Sequence, residues 1–117
     1  MGKNVRFTVV AQNQKTKEKA EKLAEQISHE LKIETLPDIQ RYDKFENSYR
    51  IEFVFPFDNP ENSIVESIEK TDLICSPWSV RFDRLEKEIE LIFNKADCSR
   101  YGKINLNVIS WAIWTTE

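Results

Sequence analysis

The side chains that most often perform catalysis or bind metals are scarce in this sequence. One histidine, His29, and two cysteines, Cys75 and Cys98, are present among 117 residues. His29 falls on the predicted solvent side of a helix, and a catalytic histidine would need a nucleophile and an orienting carboxylate beside it. Neither cysteine has another cysteine or a histidine near it in the chain, so no zinc-binding spacing can be built. We therefore expect no enzyme activity, cofactor or metal, and we interpret both cysteines as reduced, buried residues.

Acidic side chains are abundant, and their distribution is the most informative chemical feature. The chain carries 20 acidic and 17 basic residues, for a net charge of -3. Residues 58–72 contain five acidic residues and one lysine, a local charge of -4, whereas seven basic and four acidic residues give residues 1–32 a charge of +3. Clustered charge of one sign attracts partners of the opposite sign. The candidate partner-binding residues are Asp58, Glu61, Glu66, Glu69 and Asp72, with Glu86, Glu88 and Glu90 as a second group.

Several binding functions are disfavoured because their sequence patterns are absent. The chain has only two glycines, and neither of the two glycine-rich nucleotide-binding patterns can be written in it. The aromatic RNA-binding signature is missing and the net charge is negative, so we expect no nucleic-acid partner. No run of about 20 apolar residues and no secretory signal is visible. We expect a soluble cytoplasmic protein that does not bind membranes.

The first third of the chain predicts a strand followed by an amphipathic helix. Apolar residues alternate with polar ones over residues 5–11, which is typical of a strand with one buried face. From Thr16 the apolar residues recur at spacings of three and four, and the predicted helix ends near Lys32. The predicted buried stripe consists of Ala20, Leu23, Ala24, Ile27 and Leu31.

The middle third predicts two strands and a second helix. Residues 33–45 fit an irregular edge strand, because Pro37 interrupts them. Residues 49–57 alternate strictly and form the clearest strand in the chain. Pro60 suits the first position of a helix that runs to about Asp72. Its predicted buried stripe is Ile64, Val65 and Ile68.

The last third predicts a hairpin and a final strand. Residues 78–83 and 88–93 alternate, which indicates a hairpin with its turn around Arg84 to Lys87. A helix over residues 84–96 is the competing interpretation, because the apolar residues there are also spaced by three and four. The final strand is predicted from Ile104, with Ile104, Leu106 and Val108 on one side and then Ile109, Trp111 and Ile113 after a change of phase. A bulge at Val108-Ile109 would absorb this change. Without a bulge, both faces of the strand are apolar and it lies centrally in the sheet.

This order of elements predicts one α+β domain spanning residues 1–117. We expect a two-layer sandwich in which a mixed, mostly antiparallel sheet of about five or six strands carries two helices on one face. The opposite face would then have no helix, and Trp111 or Trp114 would be partly exposed there unless every tryptophan fills the core. The predicted core places Phe53, Phe55, Val80, Phe82, Leu91 and Trp111 against Leu23, Ile27 and Ile68.

The chain as a type resembles a known class of bacterial proteins. It is a short acidic domain without a catalytic or metal-binding set, and it ends in a strand with two tryptophans, Ile109-Ser110-Trp111-Ala112-Ile113-Trp114. In these respects it is similar to the immunity proteins encoded beside bacterial toxins, particularly those of contact-dependent growth inhibition systems. The resemblance implies a stoichiometric inhibitor of a cognate toxin domain, often a nuclease with a basic cleft. The acidic residues named above would then face that cleft.

Two other classes of function are consistent with the sequence. A self-associating or regulatory interaction domain would use the helix-free sheet face, which would make the protein a homo-oligomer. A small enzyme or an RNA-binding module comes third. An inhibitor would bind one partner tightly, whereas a self-associating domain would change mass with its own concentration.

We expect Cys75 and Cys98 to be free thiols in protein purified from a reducing cytoplasm, because the core of a chain of this length does not need a crosslink. Intact mass spectrometry should therefore give the same mass before and after reduction. A mass lower by two hydrogens before reduction, mapped to a bond between these residues, would contradict this prediction.

Overall fold

Two helices lie on one face of a six-stranded sheet, which confirms the predicted α+β sandwich. The computed structural model describes residues 4–86 and 88–116, so Lys87 of the predicted hairpin turn lies outside the described residues. The elements are β1 (Asn4–Ala11), α1 (Lys17–Leu31), β2 (Asp38–Arg41), β3 (Tyr49–Pro56), α2 (Ser63–Ile74), β4 (Cys75–Ser76), β5 (Ser79–Asp83), β6 (Glu88–Asn94), β7 (Arg100–Tyr101) and β8 (Ile109–Thr116).

The sheet joins the two ends of the chain at its centre. Its strand order is β2-β3-β1-β8-β6-β5, and each neighbouring pair is antiparallel. Strands β4 and β7 form a separate two-stranded ladder. The predicted irregular strand after α1 is β2, which does form one edge of the sheet, and β5 forms the other edge.

Helix α1 follows the prediction closely. The Thr16 hydroxyl caps its start by accepting a hydrogen bond from the Lys19 amide at 3.3 Å, and Lys32 ends it in the left-handed conformation with φ 56°. The predicted stripe Ala20, Leu23, Ala24, Ile27 and Leu31 is buried.

Neither α1 nor any other helix within residues 4–86 and 88–116 has the length and apolar composition of a membrane span.

An aromatic cluster fills the layer between the sheet and the helices. The Phe7 ring on β1 lies 6.0 Å from that of Phe53 on β3 and 5.3 Å from that of Trp114 on β8. All three side chains are buried, with exposed fractions of 1% or less. Large rings in such contact dominate the burial of apolar area in a domain of this size.

Part of the predicted core is wrong. Phe53, Phe55 and Leu91 are buried as expected, together with Leu23 and Ile27. Trp111, in contrast, lies on the helix-free face, because β8 pairs Trp114 with Phe7 and so turns Trp114 towards the helices. Three further residues of the predicted core, Val80, Phe82 and Ile68, are largely exposed.

The final strand also begins later than predicted. Residues Ile104–Val108 form a 3-10 turn, in which Leu106 is completely buried in the core. The register shift in β8 lies at Ser110, between the pairs Ala11–Ile109 and Val10–Trp111, and not at Val108-Ile109. This bulge lets Ile109 and Ala112 both face the core.

The region for which strand and helix were alternatives is a hairpin. Strands β5 and β6 pair over five residues each, from Ser79–Ile92 to Asp83–Glu88. The Asp83 carboxylate closes the connection by accepting hydrogen bonds from the amides of Leu85 at 3.0 Å and Glu86 at 3.2 Å. An aspartate that bonds to the backbone two residues ahead favours a turn over a helix.

The two cysteines occupy different environments. Both are free thiols, and Cys75 is buried as predicted. Cys98 is exposed, so its predicted burial is wrong. It lies in the loop between β6 and β7, where the Ser99 amide donates to the Ala96 carbonyl in a tight turn at the surface.

Replacing Phe53 with alanine should lower the free energy of unfolding by about 3–5 kcal/mol, because it removes a buried ring beside Phe7. Val54→Ala is the matched control, since Val54 is the next residue and faces the opposite side of β3. The control should cost less than about 1 kcal/mol in denaturant melts. Equal losses in the two variants would contradict the register of β3.

Candidate partner-binding surfaces

Helix α2 turns its small polar side chains towards the core. Ser67 and Thr71 are buried, with exposed fractions of 0% and 1%. The Ser67 hydroxyl donates to the Ser63 carbonyl at 2.7 Å and accepts from Trp114 Nε1 at 3.0 Å. The Thr71 hydroxyl donates to the Ser67 carbonyl at 2.8 Å. The residues facing the sheet therefore satisfy polar groups as well as fill space.

Two indole N–H groups have their acceptors on α2 or at its end. A buried indole N–H requires an acceptor, because leaving it unpaired costs about 1–3 kcal/mol. Trp114 uses the Ser67 hydroxyl, and Trp78 Nε1 donates to the carbonyls of Thr71 at 3.2 Å and Cys75 at 2.6 Å. One side of α2 and its C-terminal end thus supply acceptors for both rings.

The predicted buried stripe of α2 is consequently wrong for Val65 and Ile68, whereas Ile64 is half-buried and packs against the core. Residues Pro60–Asn62 form a 3-10 turn, and the α-helix begins at Ser63. Three large aliphatic side chains of the helix are exposed: Val65 by 54%, Ile68 by 48% and Leu73 by 49%. Glu61, Glu69 and Asp72 are exposed around them. We call these six residues the α2 outer face: Glu61, Val65, Ile68, Glu69, Asp72 and Leu73.

The other two acidic residues of the first predicted group contact the protein itself. The Glu66 carboxylate accepts hydrogen bonds from the Asp58 and Asn59 amides at 3.0 and 2.6 Å, and it pairs with Lys70 at 3.1 Å. Lys70 also pairs with the Asp58 carboxylate at 3.0 Å and lies over the Phe55 ring. The Glu66 side chain is only 10% exposed. It links the loop after β3 to the first turn of α2, where the positive end of the helix dipole also stabilises a negative charge.

The second predicted group lies on the opposite side of the sheet. Glu90 on β6 pairs with Arg81 on β5 at 3.0 Å, and Glu88 shares its face of the strand. Glu86 is in the connection between the two strands. Because α2 covers the other face, these residues and the α2 outer face do not form one continuous acidic surface.

The helix-free face combines ion pairs with an aromatic hollow. Arg6 pairs with Glu52 at 2.7 Å across β1 and β3. Nearer the centre, Trp111 is half-buried, and the loop after β2 brings the rings of Tyr42 and Phe45 to 6.0 Å from each other. A pocket of about 550 Å³ lies between this loop and β8, lined by Val10, Tyr42, Lys44, Phe45, Asn94, Ser110 and Trp111.

A groove that the sequence did not predict lies between α1 and β2. Its volume is about 550 Å³, and Ala24, Ile33 and Ile39 supply apolar lining. The net charge of +3 over residues 1–32 gave no sign of this site. A sum along the chain does not show that acidic and basic residues of α1 lie on different sides of the helix. The charged residues that line the groove are Lys17, Glu21, Glu25, Glu34 and Asp38.

Two ionisable groups, the Cys75 thiol and the Tyr101 hydroxyl, have raised pKa values. Burial raises the pKa of the Cys75 thiol to about 12. The pKa of Tyr101 is also raised, first by burial and then by the charge of Cys75, and its hydroxyl donates to the Ile109 carbonyl at 2.9 Å. His29 is exposed, as predicted. Within residues 4–86 and 88–116 no three His, Cys, Asp or Glu side chains are grouped to hold a metal.

Comparison of the chain with protein families, with curated proteins and with solved structures found no match. A function can therefore be inferred only from the exposed residues of the chain.

Glu66→Ala should lower the free energy of unfolding by about 1.5–3 kcal/mol, because it removes a charged acceptor from two backbone amides. Glu69→Ala, three residues further along the exposed side of the same helix, should change it by no more than about 0.5 kcal/mol. Urea denaturation of both variants measures the difference. If the two variants are equally stable, the internal role given to Glu66 is wrong.

Proposed function

We propose that this chain is an immunity protein that binds and blocks a cognate toxin domain through the α2 outer face. The observation that carries the proposal is the exposure of Val65, Ile68 and Leu73 between carboxylates. The resemblance in length, charge and C-terminal strand supports the same class of function. The protein would act in the cytoplasm, where the toxin would otherwise reach its substrate.

The composition of the α2 outer face favours a protein as its partner. Protein interfaces combine an apolar centre, which supplies most of the binding energy, with a charged and solvated rim. Three neighbouring exposed aliphatic side chains on one helix form a patch. Single exposed apolar residues are common on protein surfaces, but a patch of them indicates an interaction site. Glu61, Glu69 and Asp72 have no ion pair among those described, so their charge is open to a basic partner.

Blocking is the activity that such a surface supports best. A preformed helix packed on the aromatic core can fill a cleft without folding on binding, which reduces the entropy lost. The carboxylates would occupy positions that an anionic substrate takes in a basic cleft, as in a nuclease. Opposite charge would also accelerate association with the toxin.

Co-expression with the product of the neighbouring gene tests this function. The neighbour alone should arrest growth of a bacterial host, and the present chain should restore it. Glu69→Lys with Asp72→Lys should abolish the rescue and weaken binding at least tenfold, because two like charges would face the basic partner. The on-rate of the unaltered chain should also fall steeply with added salt.

Two variants on other surfaces provide the controls. Glu21→Lys with Glu25→Lys reverses the same number of charges at the α1–β2 groove, and Glu88→Lys alters the helix-free side. Both should keep rescue and binding, and thermal melts should show all variants folded. Loss of rescue in a control but not in the α2 variant would reject the α2 outer face as the interface. A neighbouring product that neither binds the chain nor arrests growth would reject the proposed function.

A further inference from the structure

The edge strand β5 projects beyond the helical layer. It is the last strand of the sheet, paired with β6 on one side, and all five of its residues are exposed. Val80 and Phe82 are 55% and 42% exposed. The opposite edge differs, because α1 packs against β2 and leaves its apolar residue Ile39 half-buried.

The register shows why these two side chains are uncovered. Val80 pairs with Leu91 and Phe82 with Ile89, so both point to the side of the sheet that carries the helices. Leu91 in turn pairs with Trp114, which is bonded to Ser67 of α2. Helix α2 therefore lies over β8 and β6, and the helical layer stops one strand before the edge.

We propose that β5 pairs antiparallel with β5 of a second copy of this chain, across a two-fold axis at Phe82. Such an axis pairs residues 81–83 of the two strands. Arg81 then lies opposite Asp83 of the partner subunit, and the symmetry repeats this pair on the other side. Opposite charges and aromatic rings that face each other across antiparallel strands both stabilise the pairing. The Phe82 rings of the two copies meet at the axis.

Charge favours this register over the one centred one residue earlier. A two-fold axis one residue earlier, at Arg81, would place the two Arg81 side chains directly opposite each other, which is destabilising. Arg81 is 86% exposed, so it can reach a second carboxylate while it remains beside Glu90. Paired edges also remove the open backbone amides and carbonyls that an edge strand presents to other chains.

The pairing is compatible with the proposed function. A two-fold axis perpendicular to the sheet joins the two sheets into one and keeps both α2 helices on the same side of it. The α2 outer face does not include Val80 or Phe82. The dimer would thus present two such faces, one on each side of the seam.

Mass as a function of concentration tests the dimer. Sedimentation equilibrium from micromolar to millimolar protein should show a rise from 13.8 kDa towards twice that mass. Arg81→Glu should weaken the dimer about tenfold or more, because both symmetric pairs become repulsive. Asp83→Asn should weaken the dimer less, because it removes the attraction to Arg81 without adding a like charge. The amide oxygen can still accept the hydrogen bonds of the β5–β6 turn. Arg41→Glu, on the opposite edge strand, is the matched control and should leave dimerisation unchanged.

Disulfide trapping tests the register independently of the charges. With exposed Cys98 changed to serine, Phe82→Cys should form a covalent dimer under mild oxidation, because position 82 faces itself at about 4.5–5.5 Å between Cβ atoms. Arg81→Cys in the same background should remain largely monomeric under those conditions. A protein that stays at 13.8 kDa throughout, or a crosslink through position 81 and not 82, would overturn the proposal.

Discussion

The hydrogen bond of the buried Trp114 indole determines which side of helix α2 faces the sheet. Trp114 is completely buried, and its N–H is satisfied by the Ser67 hydroxyl. Trp78, which is partly buried, donates to the backbone carbonyls of Thr71 and Cys75 at the C-terminal end of α2. An apolar side chain in place of Ser67 would bury more area but leave the Trp114 N–H without an acceptor. The orientation of α2, and therefore the surface it exposes, follows from this requirement.

The sheet order has a second consequence for the surface. Because β1 and β8 lie together at the centre, the long aromatic strands are inside the sheet, and short strands form both edges. Two helices cannot cover six strands equally, and here α1 covers the β2 edge while α2 stops at β6. The exposed apolar residues of β5 result from this geometry, and so does the groove beside β2.

Ion pairs divide the acidic residues into structural and available ones. Glu66, Lys70 and Asp58 are joined to one another and to the loop after β3. Glu90 is joined to Arg81 on the other side of the sheet. The net charge of a segment counts these paired residues in the same way as Glu69. Only an unpaired, exposed carboxylate, however, can attract a partner without breaking a contact within the fold.

The sequence by itself determined the class of fold and most element positions, because local periodicity and turn chemistry specify which residues are helical or extended. Helix α1 and the alternating strand β3 were readable in this way, and the β5–β6 hairpin was one of two interpretations that periodicity allowed. Only the tertiary structure decided which face of α2 is buried. Its apolar residues Val65 and Ile68 satisfy the helical period, yet the indole N–H of Trp114, which comes from a distant strand, turns them outward. The same holds for Phe82 and Trp111: alternation puts each on one side of its strand, but strand order and the Ser110 bulge decide whether that side is covered.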